Sequence, residues 1–384
     1  MAVTSISALV DSATFQRWNS ALLNLQREVQ IPVTVVSSIP SLPLPRRLGV
    51  TGLELLLEIG VACARPSSLD DPARLFGLFR YATALSPLTN ELALDRQLRF
   101  LDRHKKGVLS DEFGCGMACM VARRFGGVDH FLDLSDAVRR RWVRTTAPTS
   151  RQPDYAGLVR GSNVLVVLEA KGSQGSGVYS RKQIRSGCNQ VSAVRAQRPP
   201  YTIGLRLVVA TLLQREDQSS RSRLFVGDPE DVEPYDYEFD DDIQRLCERH
   251  HFMRVATLIG DEPLATALAA GEAVAGAEGK EREPEGVSRT IDGTPYVGSE
   301  VRVSDRRRDA GLFIGVEVGL WRAASSTKFE LLPRQATVTP LGGRRARLLS
   351  QGGGRLAAVG TDGIGMEVWT APPSSQSRRV IDEH

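Results

Sequence analysis

The sequence predicts an α/β protein, with a mixed core between a helical N-terminal region and a small β-rich C-terminal module. Three observations predict it. DYAGLV (from Asp154) and NVLVVLEAK (from Asn163) are β-rich runs joined by Arg160, Gly161 and Ser162, the pattern of an antiparallel hairpin. Apolar residues recur at three and four on both sides of that hairpin, as helices require. Beyond residue 294, apolar and polar residues alternate between Gly-rich turns, as in antiparallel strands.

Residues 1–107 read as a helical accessory region, from ATFQRWNSALLNLQREV, TGLELLLEIGVACA and DPARLFGLFRYATAL. A further helix is expected to start at Ser110, with acids in its first turn and a Gly-Gly stop at 126 and 127. HFLDL and RRWVRTT each offer a strand before the hairpin. After it come the loop GSQGSG, the helix YSRKQIRSGCNQVSAVRAQ, the strands IGLRLVVATLL and SRLFVG, and the helix DDIQRLCERHHFMRVATLI. The core domain is expected over 108–262, a linker over 263–293, the β-rich module over 294–375 and a disordered tail over 376–384.

Composition narrows the function classes. With 41% hydrophobic and 24% charged residues among 384, the chain is neither disordered nor fibrous. No apolar run is long enough to cross a bilayer. The first residues, MAVTSISALVDSATF, lack a secretory pattern, so a cytoplasmic chain is expected. Five scattered cysteines without a CxxC pair argue for free thiols and against a zinc site. Gly172, Gly175 and Gly177 are not followed by GK[ST], so no NTPase is read there. The adjacent His250 and His251 are read as a surface pair, because neighbours on a helix point about 100° apart.

Charge is unevenly spread. Ala137 to Arg215 holds 14 basic residues and only two acids, a field suited to a phosphate backbone, hence a nucleic-acid partner. Asp228 to Asp242 holds nine acids and reads as a solvated loop. The two acids inside the basic field are Asp154 and Glu169, one on each arm of the hairpin. Glu169 and Lys171 share a strand face by the period of two, and the hairpin returns Asp154 to the same end. Two carboxylates aimed at one point need a shared proton or a cation between them. With oxygen donors alone that cation is a hard one, Mg²⁺ or Mn²⁺. Taken singly, Asp154 also suits a strand start, and Glu169 with Lys171 a solvated edge. A second acid-x-Lys, Glu278-Gly279-Lys280, lies in the expected linker without strand context.

Pro153-Asp154, 14 residues, then Glu169-Ala170-Lys171 resembles the PD-(D/E)xK nuclease superfamily, the restriction-endonuclease-like fold. The order of elements over about 108–230 resembles its αβββαβ core. The resemblance implies a metal-dependent endonuclease acting on DNA, in restriction or phage defence. It implies that Asp154, Glu169 and the Ala170 carbonyl hold the metal, while Lys171 serves the attacking water. It also implies an acid from the first core helix, for which Glu112 is the match, and a Gln from the helix after the lysine. Gln190 is preferred there over Gln183. Glu112 also suits a first-turn acid, and the two glutamines a polar helix face. A homodimer is an expectation of the same resemblance. Two other classes stay open: a nuclease-fold nucleic-acid-binding scaffold that cuts nothing, and a DNA-repair or recombination nuclease.

Overall fold

The computed structural model describes residues 3–5, 24, 25, 27–36, 42–63, 81–146, 152–159, 162–197, 201–229, 241–270, 286–304, 309–325, 347–352, 355–359 and 363–371. In chain order these form β1 (Val3–Ser5), β2 (Glu28–Val35), β3 (Arg47–Thr51), α1 (Gly52–Cys63), a 3-10 turn (Arg96–Phe100) and α2 (Arg103–Gly126). Next come β4 (Val128–Asp133), α3 (Leu134–Arg139), β5 (Val143–Thr145), β6 (Tyr155–Val159), β7 (Val164–Ser173), α4 (Gly177–Ser192), β8 (Val194–Ala196), β9 (Thr202–Leu212) and β10 (Arg223–Gly227). The chain continues through α5 (Asp241–Ile259), α6 (Glu262–Ala270), β11 (Val287–Ile291), β12 (Thr294–Ser304), β13 (Asp309–Glu317) and α7 (Val318–Ser325). It ends in β14 (Arg347–Gly352), β15 (Arg355–Val359) and β16 (Ile364–Ala371). The expected mixed α/β architecture is present. Among the described residues no helix is long and apolar enough to cross a membrane.

Seven strands make a mixed central sheet in the order β3-β2-β10-β9-β7-β6-β4. β6 and β7 are antiparallel, as the hairpin pattern requires, and β7 and β9 are parallel with α4 as the crossover. Both faces of β7 and β9 are covered, which explains their nearly continuous apolar sequences. Alternate residues divide between two cores. Val166, Leu168 and Ala170 pack with Phe113 and Met117 of α2, whereas Leu165 and Val167 pack with Ile184 and Val191 of α4. The approach of α2 to β7 depends on Gly172, where a Cβ would collide with the Ser110 carbonyl. That contact seats α2 against the strand directly beside Lys171.

The N-terminal region is not wholly helical. α1 lies where TGLELLLEIGVAC predicts it, but Glu28–Val35 and Arg47–Thr51 are strands of the central sheet. β2 pairs with β3 through Pro32 and with β10 from Val33 onward, so the residue lacking an N–H stands where the partner changes. ATFQRWNSALL and DPARLFGLF fall outside the described residues. α2 also starts earlier than expected: Asp102 caps it by accepting from the Lys105 amide at 2.8 Å. Ser110 is therefore a buried third-turn residue whose hydroxyl donates to the Lys106 carbonyl at 2.7 Å. Of the two offered strands, the one containing HFLD joins the central sheet, while Val143–Thr145 forms a separate ribbon with β8.

The expected linker is partly structured, since it contains most of α6 and all of β11. The C-terminal alternation does produce a sheet, in the order β1-β12-β13-β16-β15-β14 with β11 also on β12. Its inner residues Val297, Leu312 and Ile314, with Trp321 of α7, share one hydrophobic cluster with the central sheet. Trp321 donates to the Asp261 carboxylate at 2.9 Å, and Ser299 donates to the Ile259 carbonyl. Residues 376–384, Glu278 to Lys280 and most of the acidic run lie outside the described residues.

Candidate active site

The hairpin register sets Tyr155 opposite Leu168, so one step further Asp154 stands opposite Glu169. Both belong to the α4 side of the sheet, and Lys171 joins them by the strand period. Hydrogen bonds lock the arrangement. The Asp154 amide donates to Glu169 Oε2 at 3.1 Å, and the Ala170 amide donates to Asp154 Oδ2 at 2.8 Å. Glu169 is 1% exposed, and its Oε1 forms an ion pair with the Lys171 ammonium. Lys171 is half-buried, whereas Asp154 remains exposed on one side. Ala170 stands between them, its amide engaged with Asp154.

The protonation of this group follows from its surroundings. Burial, then the Asp154 charge, pushes the Glu169 carboxyl up to about 8, with Lys171 pulling the other way. Displacement of water by neighbouring protein also raises Asp154, against the Ala170 amide and the Lys171 charge. Burial alone would lower Lys171, but Glu169, Asp154 and Asp111 together raise it. Both carboxyls are therefore biased towards holding a proton, Glu169 the more strongly. A hard cation could take that proton's place, because every donor here is oxygen. Among the described residues no three His, Cys, Asp or Glu side chains form a metal-holding group, so the pair would need main-chain or water oxygens beside it.

α2 brings a second acid to this region beside Glu112. The groups that act on Lys171 include Asp111, whose own carboxyl is raised by desolvation and feels Lys171, Asp154 and Glu112. Glu112, about 100° further round, acts on the Cys63 thiol at the end of α1. Sequence reasoning missed Asp111 because it started the helix at Ser110; the Asp102 cap was the available signal.

α4 crosses directly over the pair. A Cβ on Gly187 would stand 3.2 Å from Glu169 Cγ and 2.5 Å from Val208 Cγ1, so only glycine fits between helix and strand. Gln183 and Gln190 flank Gly187 on that inner face, and the Oε1 atoms of both are buried without a hydrogen-bond partner. α4 runs back against β7, so Gln183 lies on the Lys171 side of Gly187 and Gln190 on the far side.

The basic field is thinner than its sequence count. Arg206 is 6% exposed and donates to the Val194 carbonyl at 3.3 Å, and Arg215 pairs with Asp217 at 2.9 Å. Arg151, Arg160 and Arg198 lie outside the described residues. Arg139, Arg141, Arg144, Arg181, Lys182, Arg185 and Arg195 remain exposed. His250 and His251 are not a surface pair: both are buried, His250 3.2 Å from Asp136 and His251 against the His130 ring at 4.8 Å. All five cysteines are free, and Cys119 and Cys247 are buried.

Fold and site together define a mixed α/β protein with a strand-borne pair of carboxyls and a lysine at the rim of its central sheet. Compared with known protein families, with curated proteins and with solved structures, the chain shows no match.

Proposed function

We propose that the protein is a metal-dependent phosphodiesterase that hydrolyses DNA, an endonuclease of the PD-(D/E)xK type acting in restriction or defence. The observation that carries this reading is the Asp154–Glu169 pair, which shares one face with Lys171 and keeps an exposed side. With α3 and the separate ribbon β5-β8 set aside, the order α2, β4, β6, β7, α4, β9 supports it, since a restriction-endonuclease-like core has the order αβββαβ. Asp154 and Glu169, with the Ala170 carbonyl, would hold Mg²⁺ or Mn²⁺. Such a cation, when bound, polarises a phosphate and acidifies water. The remaining work falls to the chain itself. Lys171, half-buried and tethered by Glu169, is placed to orient water and to offset charge gathering on the phosphate. Exposed Arg181, Lys182 and Arg185 on α4 offer phosphate contacts along the approach.

Incubation of supercoiled plasmid with Mg²⁺ tests this directly. Wild-type protein is expected to nick or linearise it, with Asp154→Asn slower by about a thousand-fold and Lys171→Ala by about a hundred-fold. Equal rates for all three proteins would overturn the reading. One observation favours a second reading: the Lys171 ammonium already pairs with Glu169 and offsets the charge of the carboxyls, which can so persist without metal. In that case the protein binds DNA and cuts nothing. Salt-sensitive DNA binding, with neither Mg²⁺-dependent cleavage nor calorimetric Mg²⁺ binding, is its signature.

A further inference from the structure

Two separate surfaces meet at the Lys171 end of β7, and only one of them lies in the basic field. The first is the 3-10 turn with the opening turn of α2. From Asp95 to Lys106 it carries five Lys and Arg side chains and two acids. Both acids are consumed as caps: Asp95 accepts from the Gln97 amide at 2.7 Å and Asp102 from the Lys105 amide at 2.8 Å. Arg96, Arg99, Arg103 and Lys105 are exposed. Between them Phe100 is 72% exposed, with the Arg99 guanidinium 4.6 Å from its ring centre.

The second surface is the first two turns of α4. This helix contains no acid, and it presents Arg181, Lys182 and Arg185 beside Val178 and Tyr179, which are 65% and 52% exposed. Hydrogen bonds fasten the two surfaces together. Gln174, three residues after Lys171, donates to the Lys106 carbonyl at 3.2 Å and to Ser110 Oγ at 3.1 Å. Lys106 in turn donates to the Arg99 carbonyl at 2.8 Å. On the other side, Gln214 donates to the Gly175 carbonyl at 2.9 Å while its own carbonyl accepts from the Leu94 amide at 2.8 Å.

Phe100 and Tyr179 each leave more than half of an aromatic side chain in water, which forgoes the gain of burying it. Among the described residues six large hydrophobic side chains are strongly exposed, and the two aromatic ones stand one on each of these surfaces. Cations alone suffice to hold a duplex, whose base faces are covered by stacking. Aromatic platforms set among cations match a strand whose bases are unpaired. We infer that the site takes a single-stranded stretch of nucleic acid, its bases against Phe100 and Tyr179 and its phosphates on the flanking arginines and lysines. That this strand is then cut rests on the phosphodiesterase reading; its binding does not.

The test uses the full chain in EDTA, with a fluorescein-labelled oligothymidylate of about 20 nucleotides and a blunt duplex of the same length, read by anisotropy. The oligothymidylate is expected to bind more tightly than the duplex. Phe100→Ala and Tyr179→Ala should each weaken its binding by about ten-fold and leave the duplex within about two-fold, while Tyr179→Phe keeps wild-type affinity. Because EDTA removes the cation that cleavage would need, strand binding is read apart from cleavage, and failure of the one is distinguishable from failure of the other. Oligothymidylate affinity unchanged in both alanine variants, or duplex binding lost in parallel, would overturn the inference.

Discussion

Among the described residues two carboxylates meet one cation in the central sheet and again in the C-terminal sheet, and the two groups are built to opposite ends. In the central sheet Asp154 and Glu169 face each other across β6 and β7, with Lys171 two residues along the same strand. In the C-terminal sheet Glu300 and Glu367 both register with Phe313 from either side, and Arg289 of β11 reaches them. Arg289 pairs with Glu300, lies 4.0 Å from Glu367 and rests over the Trp369 ring at 4.8 Å. There the carboxylates are 0% and 1% exposed, and a planar, stacked guanidinium closes the group. In the central sheet one carboxylate is open to solvent, and the cation is a flexible ammonium. The same inventory of charges thus yields a sealed strut in one sheet and an open site in the other. What separates them is access and the shape of the cation.

The largest effect that tests this contrast is on stability. Arg289→Met removes the guanidinium from two buried carboxylates, and a loss of about 3–5 kcal/mol is expected in chemical denaturation, with cleavage per folded molecule unchanged. Asp154→Asn should do the reverse, keeping the denaturation midpoint and losing cleavage. An unchanged midpoint in Arg289→Met would remove the distinction between strut and site.

The central hairpin was legible in the sequence because its signals are local. Two β-rich runs, a Gly-containing connection and a period of two are enough to bring Asp154, Glu169 and Lys171 to one face. α4 was legible for the same reason, since Ile184, Gly187 and Val191 repeat at helical spacing. What escaped depends on distant partners. EVQIPVTV pairs with nearby β3 through Pro32 but joins the central sheet only through β10, far along the chain, while the helical periodicity just before it masked the alternation. Arg206 and the two histidines look like surface residues until β8, α3 and β4 pack on them. The Phe100 surface was overlooked because nothing local joins it to Lys171; the link is Gln174, whose partners are set by the fold.

A smaller effect separates the open site from the strut by its response to pH. The Glu169 carboxyl is raised to about 8 in the folded protein, from an ordinary value of 4.5. Between those values the folded state holds a proton that the unfolded chain has released. Without metal, this group's contribution to stability is therefore full below the lower value and falls as pH rises towards about 8, with a slope of up to about 1.4 kcal/mol per pH unit. Urea denaturation in EDTA from about pH 5 to 8 should show that decline in wild type and a flatter profile in Glu169→Gln. Saturating Mg²⁺ should flatten it as well, because a cation replaces the proton. Parallel profiles for wild type and Glu169→Gln would mean that the pair holds no extra proton.

The smallest effect concerns which acid of α2 belongs to the open site. With the cap at Asp102, Asp111 and Glu112 sit in the third turn and point about 100° apart, so only one can face β7 squarely. Ser110 abuts Gly172, and from the next turn position the Asp111 carboxyl feels Lys171 and Asp154, while the Glu112 charge is felt at Cys63 and at Asp111. A carboxylate that steadies a metal's ligands from outside typically contributes about ten-fold or more in metal affinity. Asp111→Asn is therefore expected to raise the Mg²⁺ concentration for half-maximal cleavage by about ten-fold, and Glu112→Gln to change it less than about two-fold. The opposite ranking would mean that α2 is rotated by one residue against β7, with Glu112 rather than Asp111 turned to Lys171. It would return the helix acid of the site to Glu112.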